Sequence, residues 1–68
     1  MIPDIDFSET MAAFGEVADE MDVASLRILG FVCVAAIGRK LRAKDYKGAG
    51  EDAALLSATV QKLLAKAR

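Results

Sequence analysis

The side chains in this 68-residue sequence that could do chemistry are few, and their types exclude most reactions. Histidine, the usual general acid or base near neutral pH, is absent. A nucleophile would have to be the single cysteine, Cys33. It sits among Phe31, Val32 and Val34, and no base stands at helical spacing from it. Apolar burial raises a thiol's pKa and leaves it inert. Asp19 and Glu20 are adjacent, so on a helix they point in different directions and make no carboxylate dyad. Lys47-Gly48-Ala49-Gly50 lacks the Lys-Ser/Thr of a phosphate-binding loop and reads as a turn. One thiol without an imidazole cannot build a tetrahedral zinc site, and a lone cysteine rules out a disulfide within the chain. The expectation is a non-enzyme with no metal and no cofactor, whose function lies in its surfaces.

Charge is the first surface feature. The formal net charge of −1 conceals a strong polarity along the chain. Residues 1–22 hold Asp4, Asp6, Glu9, Glu16, Asp19, Glu20 and Asp22 with no Lys or Arg, whereas residues 23–50 hold Arg27, Arg39, Lys40, Arg42, Lys44 and Lys47 against Asp45 alone. Arg39, Lys40, Arg42, Lys44 and Lys47 form a basic cluster beside one aromatic, Tyr46. Such a cluster can contact phosphates at a helix end. It is equally the charge that a helix C-terminus favours, and no helix-turn-helix, zinc or stacking motif accompanies it. The acidic segment would also repel a nucleic acid. A solvated helix end is therefore the stronger reading. A virion-lining subunit with a basic inner collar reconciles the two.

The elements that carry these groups are helices. Alanine is abundant, β-branched residues never alternate with polar ones, and the one proline, Pro3, lies outside any helix. The first helix should begin near Asp6, an N-cap with Glu9 three residues on. Phe7, Met11, Phe14, Ala18 and Met21 recur at spacings of 4, 3, 4 and 3, a packing seam that runs on through Ser25, Ile28, Val32 and Ala35 without a change of phase. Two outcomes follow. Either one helix spans residues 7–44, roughly 57 Å long at ~1.5 Å per residue, or the chain restarts at Asp22, which can cap a new helix. Residues 45–50 should turn the chain, and residues 51–68 should form an amphipathic helix opened by Glu51 and Asp52. Its seam is Ala53, Leu56, Val60, Leu63 and Ala67, returning antiparallel onto Leu26, Cys33, Ile37 and Leu41. The architecture is a single all-α domain. It is an antiparallel helical hairpin with an acidic N-terminal helical arm over residues 1–22, made of two long helices, or three if the first breaks near Asp22.

Residues 28–37 are apolar on every side, so a helix there expects cover all round. One returning helix covers about one side of it. A chain this short buries only about 60% of its unfolded surface, and without disulfide or metal the remaining remedy is another chain. The sequence therefore predicts a structural or adaptor protein that self-associates or docks into a larger protein assembly. The arm's contact stripe is Phe7, Met11, Phe14 and Met21. The buried centre is Ile28, Phe31, Val32 and Ile37, and Arg39, Lys40 and Arg42 face acidic groups or phosphate. The alternative is a compact three-helix bundle that closes on itself.

The order of acidic head, apolar middle and basic collar over residues 4–47 resembles the layout of filamentous-phage coat proteins and short phage holins. That resemblance implies a small membrane-inserted helix with the basic collar at the boundary. It matches no specific motif and leaves the last helix unexplained. Val23 to Gly38 would span about 24 Å, short of the ~30 Å hydrocarbon core, and Arg27 would have to snorkel. The acidic start is unlike a secretory signal, so an intracellular or virion-associated setting is expected.

Overall fold

The computed structural model describes residues 7–67. They form three helices: α1 (Phe7–Glu20), α2 (Val23–Arg42) and α3 (Tyr46–Lys66). The chain is all-α, and α2 and α3 pack as a hairpin with α1 as the third element. The proposed Asp6 cap lies outside the described residues.

The long-helix alternative does not occur. The chain breaks at Met21–Asp22, where the Asp22 backbone is extended and its side chain caps α2. The Ser25 N–H donates to Asp22 Oδ1 at 2.7 Å, satisfying one of the orphan donors of the new helix. This bond holds the Asp22 carboxyl below its ordinary pKa. The continuous seam read from the sequence is thereby cut, and its two halves face different neighbours.

The α2–α3 turn sits at Ala43–Asp45, before the glycines expected to make it. The Lys44 N–H bonds Leu41 O at 3.1 Å and the Asp45 N–H bonds Lys40 O at 2.8 Å. These are the paired closing bonds of a Schellman ending, and they require a left-handed residue between. That residue is Lys44, at φ 61°. Asp45 then caps α3 by accepting from the Gly48 N–H at 3.0 Å. Gly48 and Gly50 lie inside α3, not in a loop. A Cβ on Gly48 would run into the Asp45 carboxylate, so this glycine leaves room for the cap.

The hairpin seam differs from the expected one. Leu26 is fully buried and Cys33 nearly so, as read from the sequence, but Ile37 is only half-buried and Leu41 is exposed. On α3 the inward residues are Ala49, Asp52, Leu56, Thr59 and Leu63, with Ala49 and Thr59 buried, while Ala53, Val60 and Ala67 are exposed. Small side chains at 49 and 59 let the helix axes approach. Thr59 meets its polar need locally, its hydroxyl donating to Leu55 O at 2.8 Å. Full burial of Leu26 contributes about 1.5–3 kcal/mol. Lys40 Nζ lies 2.8 Å from Asp52 Oδ2 and ties the turn end of the two helices. No other group bonds this buried oxygen. That partner holds the Lys40 ammonium above its ordinary pKa.

Helix α1 meets the hairpin chiefly at its own C-terminal end. Asp19 pairs with Lys62, and Lys66 Nζ donates to Asp19 O at 2.8 Å and Met21 O at 2.7 Å. Ala18 is fully buried there. Between α1 and the hairpin lies an apolar groove of about 440 Å³ lined by Phe14, Val17 and Met21 on one side and Leu29 and Leu55 on the other. The Cα trace measures 41 × 25 × 14 Å. Three helices closed into a bundle at 8–10 Å spacing would be only about 14 Å across in both short directions, so the bundle is splayed.

Candidate interaction surface

At about 100° per residue, positions on α2 and α3 fall into two opposite faces of the hairpin. One face holds Leu29 and Leu55, which line the groove, and Lys62, which pairs with α1. Among the described residues, nothing packs on the opposite face. On α2 it carries Arg27, Phe31, Val34, Gly38 and Leu41, at spacings of 4, 3, 4 and 3. On α3 it carries Ala53, Ser57, Val60 and Leu64, at spacings of 4, 3 and 4, with Tyr46 in the same phase two turns further back. Each helix thus has a second seam, and the two seams lie side by side. Phe31 is 70% exposed, Leu64 61% and Val34 54%.

The expected site residues divide between these surfaces. Phe7, Met11, Phe14 and Met21 are half-buried, because the inner side of α1 turns toward the hairpin. Of the residues expected at the buried centre of an interface with another chain, Ile28, Phe31 and Val32 are exposed within the single chain and Ile37 is half-buried against α3. The physical reason is reach. The only other helix among the described residues, α1, is held at the Asp19 end and lies over the other face. Phe31 belongs to the open face, Ile28 to the outer edge of α2, and Val32 to the side on which α1 lies. Val34, Leu41, Tyr46 and Leu64 were missed as surface residues. Their signal was present as a second 4–3 spacing beside the first.

The basic cluster is split. Lys40 turns inward to Asp52, while Arg39, Arg42, Lys44 and Lys47 are exposed at the turn end and have no partner among the described residues. The acids of α1 likewise separate: Asp19 is spent on Lys62, whose hydrogen bond and charge hold its carboxyl below the ordinary range. Glu9, Glu16 and Glu20 line the outer ridge of α1, opposite buried Ala18, and are unpaired among the described residues.

No protein-family model matches the chain, and no curated protein or solved structure matches it.

Cys33 is buried between α2 and α3, and burial first, then the Asp52 charge, pushes its thiol up and away from the reactive thiolate. Among the described residues no group of three or more His, Cys, Asp or Glu could hold a metal ion. No described helix is long and apolar enough to cross a membrane.

Proposed function

We infer that this chain is a non-catalytic structural or adaptor subunit that works by packing an apolar helical face against other protein chains. The observation that carries this reading is the side-by-side pair of exposed seams, Phe31–Val34–Leu41 on α2 and Val60–Leu64 on α3. Single exposed apolar residues are ordinary. A contiguous face over two helices exceeds what soluble monomers usually leave in water and marks an interaction site. Its residues lie on regular helices capped at Asp22 and Asp45, so the face is preformed and loses little entropy on docking. The test is amide exchange and hydrophobic-dye uptake on the purified chain against Phe31→Asp. The face should bind dye or be protected by a partner in the parent chain, with either signal lost in the variant. A parent chain that shows neither dye uptake nor protection at Phe31 and Val34 contradicts the reading.

A second reading rests on the turn end, where Arg39, Arg42, Lys44 and Lys47 stand together with no partner among the described residues. Exposed cations gathered at one pole suit contact with a phosphate backbone. Retention on DNA that falls steeply with salt and disappears on Arg39→Ala/Arg42→Ala supports it. Indifference to both counts against it.

A further inference from the structure

We propose that the open face of the hairpin is covered by a second copy of this chain, the two hairpins stacking into a four-helix core with both α1 helices outside. The proposal rests on the packing role inferred above and names its partner.

Length is the first argument. Helices α2 and α3 have 20 and 21 residues, so each is about 30 Å long. The second seams run along most of both. At 8–10 Å between axes, two such helices present a face of roughly 30 × 20 Å. Stacking two copies buries at least about 1,200 Å² in total, the lower end of stable interfaces. A single extra helix would leave one of the seams bare. An identical hairpin is the two-helix layer whose dimensions match without adjustment.

Charge is the second. A self-complementary face must not set like charges opposite one another. Arg27 is the only charged residue in the α2 seam, and the α3 seam has none. With the twofold axis along the helices, each α2 lies antiparallel on α3 of the other copy. The pairing of Lys40 with Asp52 and of Gly30 with Leu56 sets which residues lie level in the hairpin. Carried across the axis, that level places Arg27 beside the last turns of the second α3, the negative end of its dipole. The alternative axis, across the helices, lays α2 antiparallel on α2 of the other copy and carries Arg27 toward its basic turn end, where Arg39 and Arg42 lie, and is disfavoured. The Glu9–Glu16–Glu20 ridge lies on the far side of each α1 and stays in water, where it discourages stacking beyond two.

Light scattering and sedimentation at tens of micromolar test this. The parent chain should run at about 14 kDa, twice its 7.2 kDa. Val34→Asp and Leu64→Asp should each return it to 7.2 kDa with the helical circular dichroism retained, because both side chains are exposed in the single chain. Glu16→Lys on the outer ridge should leave the dimer intact. Should an aspartate unfold the chain, Val34→Ser and Leu64→Ser give the same readout as dimer association weakened by about tenfold or more. A dimer that survives both serine substitutions unchanged overturns the assignment of the face. A parent monomer whose face takes up dye, with uptake lost in Val34→Asp, overturns the second copy but leaves the packing role standing. A parent monomer that takes up none overturns both.

Discussion

Lys66 Nζ lies 2.7 Å from the carbonyl oxygen of Met21, so the last turn of α3 closes the end of α1. Helix α1 has no basic residue in its own last turn to meet its orphan carbonyls. The ammonium supplied by α3 fills that role, with Asp19 O as its second acceptor at 2.8 Å. A feature usually local to a helix is here tertiary, and it is what fastens the arm.

Lys66→Met should therefore loosen α1 alone. Hydrogen exchange over Phe7–Glu20 is expected to quicken severalfold, while the amides around Leu26 and Cys33 keep their protection. Equal acceleration of all three helices would show that α1 is integral to the hairpin's stability.

Acid should release the same joint. Asp19 and Asp22 both have pKa values below their ordinary range, Asp19 through Lys62 and Asp22 through the Ser25 N–H. A lowered carboxyl stabilises the fold above its unfolded pKa and is lost as pH falls through the folded value. Stability should thus be level near neutrality and decline below about pH 4. Asp19→Asn and Asp22→Asn should each flatten that decline in a urea titration run against pH. For Lys40, raised by Asp52, the sign reverses: its contribution is present at neutral pH and disappears as pH rises through a value above that of an ordinary lysine.

Lys44→Gly should stabilise the chain. Lys44 holds a left-handed conformation at φ 61° in a turn that glycine adopts freely. Relief of about 1 kcal/mol is expected, or a melting temperature higher by about 4–8 °C. An unchanged or lower melting temperature would mean that the lysine side chain contributes there.

Two alanine substitutions should part company. Gly15 has open space around it, so Gly15→Ala should gain about 1 kcal/mol from helix propensity. Gly48→Ala carries the same gain but displaces the Asp45 carboxylate from its cap, which costs about 1 kcal/mol, leaving little net change. Denaturant midpoints compare them directly.

Cys33 should react slowly with thiol reagents at neutral pH and quickly once the chain is unfolded, since it is buried and its thiol is pushed up. Rapid labelling of the folded chain would show that α2 and α3 separate readily.

Much of the fold was legible from residue types alone. The alanine content, the isolated Pro3 and the 4–3 spacings imply helices and exclude strands, and Leu26 and Cys33 were identified as hairpin contacts. The boundaries were less legible, for a physical reason. Glycine inside a helix and glycine in a turn have the same composition signal, so Gly48 and Gly50 suggested a loop. The Asp45 cap and the Lys44 conformation moved that loop forward by several residues. At Asp22 the reverse held: the apolar phase ran through unbroken, and only the cap showed the helix ending.

What the sequence by itself determined is the supply of apolar side chains, their helical period, and the absence of imidazole and of a second thiol. What only the tertiary structure decided is which seam each helix spends on its neighbour. On α3, Leu56 and Leu63 serve both candidate phases. The phase holding small Ala49 and Thr59 faces inward, where it lets the helices approach and brings Asp52 to Lys40. Val60 and Leu64 are left outside with Phe31 and Val34. Local spacing cannot rank two apolar phases of one helix, because the ranking depends on how closely a second backbone can come.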